Sequence, residues 1–202
     1  MPNFEIEDSY NLKTIAGIDE AGRGPLCGPV FSACAVVMKD SCPNGVDDSK
    51  KITEKNREKI FEEILKLEND GKLFFGIGQA TVEEIEALNI RNATKLSMKR
   101  AYEDLVKKYS LNVDLVLVDG NFVPNIDTRA EFVIKGDAKS ISIATASIIA
   151  KVSRDRLLRE LDLKYPQYNW KKNKGYGTKE HIEAIKKFGM CEFHRKSFIH
   201  IF

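Results

Sequence analysis

The chain has few of the residues that mark secreted, zinc-binding or membrane proteins. Its 202 residues include only one tryptophan, three histidines and four cysteines: Cys27, Cys34, Cys42 and Cys191. The cysteines show neither the CxxC spacing nor the nearby histidine of a zinc site, so we expect reduced thiols. No apolar run approaches the roughly 20 residues of a membrane helix, and the first ten residues do not resemble a secretory signal. These absences predict a cytoplasmic protein that does not contact a membrane.

The composition is that of an ordinary globular protein, but the charge is unevenly distributed. The chain is 43% hydrophobic and 31% charged, and its length allows one large domain with a small appendage. Residues 151–202 contain 13 Lys and Arg against 6 Asp and Glu, a balance of +7, whereas residues 1–150 carry −5. A basic segment beside an acidic core suits a protein that binds phosphates, although solvated helix faces explain such a bias about as often.

The most informative stretch covers residues 14–37, TIAGIDEAGRGPLCGPVFSACAVV. It predicts a buried strand that ends at Asp19 and Glu20, a glycine-rich turn, and an antiparallel strand over residues 30–38. Neighbouring side chains on a strand point to opposite faces, so the two acids can bind one metal only if the backbone turns there. The alternative is a hairpin with a solvated acidic turn, because Asp and Glu are mostly exposed.

A second apolar strand, over residues 113–118, also leads into a carboxylate, Asp119. If the two strands are parallel neighbours, their ends lie about 5 Å apart and Asp119 can face Asp19 across a metal. Asp137 stands just before a long helical pattern, where by spacing alone it is either a helix cap or a further acid of the site. Asp155, within that helix, is predicted to be a surface or ion-pairing residue.

The remaining patterns predict a mixed α/β protein. They comprise a helix that Thr53 opens and that runs to residue 70, a short helix that starts at the Thr81–Glu84 capping box, and a longer helix over residues 89–109. Strands are predicted over 73–80 and 130–135, and a short helix capped by Thr178 follows near the C-terminus. The helix after Asp137 ends at Pro166, and its small residues suit close packing on the sheet: Ala144, Ala146, Ser147 and Ala150. Tyr176 lies between two glycines, where its ring is either a packing anchor or a surface for stacking on a nucleotide.

Three strings resemble bacterial ribonuclease HII, the type 2 ribonuclease H family: GIDEAGRGPLCGPV, GDAKSISIATASIIAKVSRD and NKGYGTKEH. The resemblance implies an α/β fold with a ribonuclease H-like mixed sheet flanked by helices. It also implies a catalytic domain over residues 1–164 and a basic loop-helix extension over residues 165–202 that contacts substrate. The catalytic and metal-binding residues would be Asp19, Glu20, Asp119 and Asp137. The substrate-binding residues would be Gly22, Arg23, Gly24, Lys50 and Tyr176.

By the same resemblance, the protein is an endoribonuclease that hydrolyses the RNA strand of RNA–DNA hybrids. It would also cut 5′ of ribonucleotides embedded in duplex DNA, leaving a 3′-hydroxyl and a 5′-phosphate. Four carboxylates suit two Mg²⁺ or Mn²⁺ ions about 4 Å apart, which can activate a water and stabilise the leaving oxygen. We expect the Gly22, Arg23 and Gly24 backbone to sense the 2′-hydroxyl and Tyr176 to stack on the adjoining deoxyribose. Lys50 is either near the nucleic acid or simply solvated.

Other readings compete with this one. Ribonuclease HIII carries an extra N-terminal domain, whereas only about 13 residues precede the first strand here, and the eukaryotic type 2 subunit is longer and works with two partners. An inactive nucleic-acid-binding protein would lack one of the four carboxylates, and a structural domain would place its acids by chance. The sequence leaves open the preferred metal, any replication or repair partner, and the role of residues 197–202. A monomer is the default expectation.

Overall fold

The computed structural model describes residues 1–47, 49 and 51–200. Five strands form one sheet in the order β3-β2-β1-β4-β5. They are β1 (Ile15–Ala21), β2 (Val30–Val37), β3 (Leu73–Ala80), β4 (Leu115–Asp119) and β5 (Ala130–Val133). β1 pairs antiparallel with β2 and parallel with β4. The predicted mixed sheet, and both predicted neighbours of β1, are therefore confirmed.

Helices flank this sheet. They are α1 (Glu5–Ser9), α2 (Glu54–Asn69), α3 (Val82–Tyr109), α4 (Ile141–Lys164), α5 (Trp170–Asn173) and α6 (Lys179–Phe188). The predicted caps Thr81 and Thr178 each accept a hydrogen bond from a backbone N–H of the first helical turn, as does Thr53 before α2. The two helices predicted on either side of residue 89 run on as α3, which is broken where Asn89 takes φ 63° and ψ 162°.

The two faces of β1 bury different kinds of residue. Ala16 and Ile18 pack into an apolar cluster with Met98 of α3, whereas Gly17 faces α4. A side chain at Gly17 would overlap the α4 backbone, so its absence lets the helix approach the strand closely. The small-residue face of α4 is buried, as predicted. Among the described residues, no helix combines the length and the apolar character needed to cross a bilayer.

The C-terminal segment packs against the second half of α4. Tyr168 and Trp170 stack with their ring centroids 5.0 Å apart, and both are buried beside Leu158 and Cys27. α4 ends at Lys164 and Pro166 begins a 3-10 turn, as the proline predicted. The division of the chain into a catalytic domain over residues 1–164 and an extension over residues 165–202 stays a prediction.

Candidate active site

Two carboxylates stand side by side in the middle of the sheet. β1 and β4 run parallel with Ile18 opposite Val118, so the next residues along, Asp19 and Asp119, are neighbours. Alternate residues of a strand share a face, and Gly17 contacts α4, so Asp19 lies on the α4 face of the sheet. Asp119, beside it on β4, lies on the same face. The parallel pairing thus brings together two acids that are 100 positions apart in the sequence.

Asp19 is buried and surrounded by negative charge. Its carboxylate accepts a hydrogen bond from the Glu20 N–H at 2.7 Å and another from the Ser147 hydroxyl. Burial first, and then the charges of Glu20 and Asp119, hold the pKa of Asp19 well above its ordinary value. A cation at this position would remove that repulsion and favour the ionised carboxylate.

Asp137 belongs to the same group of acids and does not cap α4. It lies buried in a 3-10 turn, Gly136–Ala138, and Asp119 accepts hydrogen bonds from the Gly136 N–H at 2.7 Å and the Asp137 N–H at 3.4 Å. Ser140 caps α4 by accepting from Ile143 N–H. The helix-cap alternative for Asp137 is therefore wrong, and the turn holds this acid next to Asp119.

The predicted glycine-rich turn follows the acid pair, but the predicted end of the strand at Asp19 and Glu20 is wrong, because β1 runs on to Ala21. β1 continues to Ala21, which still pairs with Phe31 of β2, so Asp19 and Glu20 point to opposite faces of the sheet. The chain turns only at Gly22, whose φ of 101° favours glycine. Glu20 lies at the strand end, where its Oε1 is 3.3 Å from Arg23 Nη1.

A cleft of about 450 Å³ opens at this end of the sheet. It brings together six predicted site residues, Asp19, Glu20, Gly22, Arg23, Gly24 and Tyr176. Asp119 and Asp137 are not among the described residues that line it, and Lys50 lies outside the described residues. The cleft also includes residues that sequence reasoning did not assign to the site: Ser49, Ile90, Ser147, Lys151 and Arg154. For Ser147 the sequence predicts only a packing role.

Tyr176 lies at the mouth of the cleft with half of its surface exposed, at 50%. A methyl group on Gly24 would be 3.6 Å from the tyrosine Cε1, so the ring lies directly over the Gly22–Gly24 turn. A packing anchor would be buried, and the exposed ring contradicts that alternative. The ring is available to a ligand that enters the cleft.

Asp155 is an ion-pairing residue, but the predicted surface position is wrong because its side chain is only 1% exposed. Its Oδ1 accepts from Lys151 Nζ at 2.7 Å, and Oδ2 lies 3.7 Å from Arg57 Nη2. Lys151 lines the cleft, so this buried pair holds a cation at the site. The spacing of four residues on one helix was the signal that could have identified Lys151.

A chain of buried histidines supports the Tyr176 loop. Trp170 Nε1 donates to His181 Nε2 at 3.0 Å, so His181 donates through Nδ1 to the Tyr176 carbonyl at 2.9 Å. His194 Nδ1 accepts from the Cys191 N–H at 3.0 Å and lies 3.3 Å from Cys191 Sγ. The expectation that no cysteine has a histidine nearby is therefore wrong. Even so, no three Asp, Glu, His or Cys side chains of the described residues are grouped to hold a metal ion.

These histidines predict a loss of stability in acid. Burial lowers the pKa of His194 from 6.5 to about 4 and also lowers that of His181. The unfolded chain then binds more protons than the folded one below about pH 6.5. We expect the free energy of unfolding, measured with urea, to fall from pH 6.5 towards pH 4. His194→Asn, which can still accept from the Cys191 N–H, will show a shallower fall. Equal slopes in the two proteins would contradict this assignment.

Known proteins resemble this chain throughout its length. The family model for ribonuclease HII matches residues 16–201. Ribonuclease HII of Wolbachia pipientis subsp. Culex pipiens (strain wPip) is 51% identical over 198 residues, covering 98% of this chain and 95% of the relative. That of Caldicellulosiruptor bescii is 50% identical over 199 residues, covering 97% and 93%.

Solved structures share the fold. Ribonuclease H2 from Pyrococcus horikoshii OT3 superposes with a TM-score of 0.70 at 25% identity, covering 92% of this chain and 93% of that one. Bst-RNase HIII, solved in complex with Mn²⁺, gives a TM-score of 0.78 at 17% identity and covers 98% of this chain and 71% of that one. The chain is thus similar to type 2 ribonucleases H in sequence and in architecture.

Proposed function

The chain belongs to the ribonuclease HII family, and from this premise we propose that it cuts 5′ of ribonucleotides embedded in duplex DNA by metal-assisted hydrolysis. Membership makes the chain a nuclease of RNA–DNA hybrids with a ribonuclease H-like fold. Of the two families considered, ribonuclease HII and HIII, the chain belongs to HII. The position of the cut, its 3′-hydroxyl and 5′-phosphate products, and the metal dependence are the proposed part. The cytoplasmic location and the monomeric state stay predictions.

One observation carries the proposal: the parallel pairing of β1 and β4 places Asp19 beside Asp119 next to a glycine-rich cleft. An acidic pair alone could be structural. Here the pair adjoins a backbone turn with little side-chain bulk, an exposed tyrosine ring and the cleft cation Lys151. This combination suits a site that binds a phosphodiester and examines the sugar beside it.

The residues present fit Mg²⁺ or Mn²⁺. Asp19, Glu20, Asp119 and Asp137 offer only oxygen donors, which both ions prefer, and the raised pKa of Asp19 reflects like charges that a cation would offset. The four carboxylates would hold the ions after some side-chain rearrangement, because they are not grouped for binding as they stand. When bound, such ions supply an activated water and charge stabilisation for the leaving oxygen.

The chain's own residues supply position and selectivity. Backbone groups of Gly22, Arg23 and Gly24 can approach the ribose closely, because the two glycines present no side chain. Tyr176 would stack on the adjoining deoxyribose. Arg23 lies 5.5 Å from the centre of the Phe122 ring, and Arg91 of α3 lies 5.6 Å from it, so positive charge continues beyond the turn towards the phosphates of the duplex.

The proposal is tested by cleavage of a DNA duplex that contains one ribonucleotide, with Mg²⁺, Mn²⁺ or EDTA, and the cut is mapped to the nucleotide. We expect a cut immediately 5′ of the ribonucleotide with either ion and none in EDTA. A matched all-DNA duplex should stay intact. Binding without cleavage under every condition would instead favour the inactive nucleic-acid-binding protein.

Tyr176→Ala will reduce the preference for a single embedded ribonucleotide over a long RNA–DNA hybrid by about tenfold, because a stacking contact contributes about 1–3 kcal/mol. The ring is half exposed, so the free energy of unfolding should change by less than about 1 kcal/mol. The measurement is kcat/KM on both substrates. Tyr176→Phe keeps the ring and should keep the preference; an unchanged ratio in Tyr176→Ala would reject the stacking role.

A further inference from the structure

A buried arginine near the C-terminus holds the turn that follows β1. The side chain of Arg195 is fully buried and donates five hydrogen bonds to backbone carbonyls of residues 22–28. Nε donates to Gly28 O at 2.9 Å, and Nη1 donates to Arg23 O at 3.0 Å and Pro25 O at 2.9 Å. Nη2 donates to Gly22 O and to Gly28 O, both at 2.6 Å. Every N–H of the guanidinium is used on this one turn.

This charge is held mainly by backbone carbonyls rather than by an ion pair. In the described part of the chain, no carboxylate forms an ion pair with Arg195, and Arg154 is the cation beside it. Burial first, and then Arg154, lower the pKa of Arg195 to about 9, so the group stays charged at neutral pH but at a cost. The Phe198 ring lies 5.1 Å from the guanidinium and Glu86 contributes a favourable charge, but every hydrogen bond of this buried cation goes to a backbone carbonyl, which indicates that the orientation of those carbonyls matters.

The direction of each carbonyl determines the direction of the N–H group in the same peptide. In a trans peptide the C=O and the N–H point in opposite directions, and none of the described peptide bonds is cis. Because Gly22 O and Arg23 O point at Arg195, the N–H groups of Arg23 and Gly24 point away from it. Neither N–H has an acceptor among the described residues, and both residues line the cleft.

We infer that Arg195 is a positioning residue that turns the Arg23 and Gly24 N–H groups into the cleft, where they donate to the ribose 2′-hydroxyl oxygen of the substrate. The inference rests on the proposed function and adds to it the residue that prepares the sugar-sensing turn. A lysine cannot replace it, because three donors on a flexible stem cannot orient four carbonyls. Arg154 holds a different part of the turn, through Cys27 O and Pro29 O.

The test compares Arg195→Lys with wild type and with Ile185→Ala, which loosens the buried C-terminal cluster but removes none of the hydrogen bonds that Arg195 donates to the turn. For each protein, kcat and KM are measured on the single-ribonucleotide duplex, and an all-DNA duplex serves as a competitive inhibitor. We expect Arg195→Lys to lower kcat/KM at least about tenfold while Ki for the all-DNA duplex is unchanged. A general folding defect would weaken the binding of both duplexes alike, so that KM and Ki rise together, as in Ile185→Ala.

The possible outcomes are distinguishable. If wild type does not cut at the ribonucleotide, the proposed function fails first. If wild type cuts and Arg195→Lys changes KM and Ki in parallel, the inference is overturned. Should Arg195→Lys not fold, amide NMR of wild type in EDTA decides instead. The Arg23 and Gly24 resonances should shift more with the ribonucleotide duplex than with the all-DNA duplex, and equal shifts would overturn the inference.

Discussion

Asp19→Asn will lower the cleavage rate at an embedded ribonucleotide by about 10³-fold or more, a loss of roughly 4 kcal/mol of transition-state stabilisation. The amide has nearly the shape of the carboxylate and can still accept from the Glu20 N–H, so the local structure should persist. What it loses is the negative charge that a divalent ion requires. Duplex binding should remain close to that of wild type, because the residue is buried and offers little surface to the duplex.

The same substitution should not destabilise the fold. Glu20 and Asp119 repel the Asp19 carboxylate, so its neutral replacement should leave the free energy of unfolding unchanged or slightly higher. Asp162→Asn is the matched control. Asp162 is also a buried carboxylate, it accepts from the Lys171 N–H at 3.2 Å, and it does not line the cleft. The Asp162→Asn protein should cut the ribonucleotide duplex at the wild-type rate. An Asp19→Asn protein within tenfold of wild-type activity would refute the metal-binding assignment.

Gly17→Ala will cost about 3 kcal/mol or more of unfolding free energy, a large effect for one added carbon. The new methyl group would overlap the backbone atoms of Ser142 and Ile143, and a helix backbone cannot move aside as a flexible side chain can. Either α4 moves off the sheet or β1 shifts. Since Ser147 of α4 bonds to Asp19, displacement of the helix should also reduce activity.

Urea unfolding measures this effect, with Gly24→Ala as the matched control. A methyl group on Gly24 meets only Tyr176 Cε1 at 3.6 Å, an ordinary contact, so the free energy of unfolding should change by less than about 1 kcal/mol. If Gly17→Ala were as stable as Gly24→Ala, α4 would not pack against β1 as closely as described.

The sequence predicted the features that are encoded locally. Apolar runs marked the strands, and Thr81 and Thr178 marked helix starts, because a capping hydroxyl acts within three residues. The adjacency of Asp19 and Asp119 was also predictable, since two apolar strands that both end in an acid suggest a shared site. Asp137 could be placed in the site only by resemblance, because its spacing allowed a cap equally well.

The features that sequence reasoning missed depend on contacts between distant segments. Arg195 looks like any basic surface residue, and only the fold reveals that its acceptors, up to 173 positions away, belong to one turn. Asp155 gave no sign of burial, because its partner Arg57 lies on another helix. The extension of β1 past the acids likewise depends on its pairing with β2.

The parallel pairing of β1 with β4 also has a kinetic consequence. β1 leaves the ribosome early, but its partner follows about 100 residues later, after β2, α2, β3 and α3 have been made. Contacts between such distant segments form late, because a long loop must close first. A partly folded chain can therefore hold a complete β1–β2–β3 meander without both acids in place. Nuclease activity would then appear only at the end of folding, so an incompletely folded chain would not cut nucleic acid.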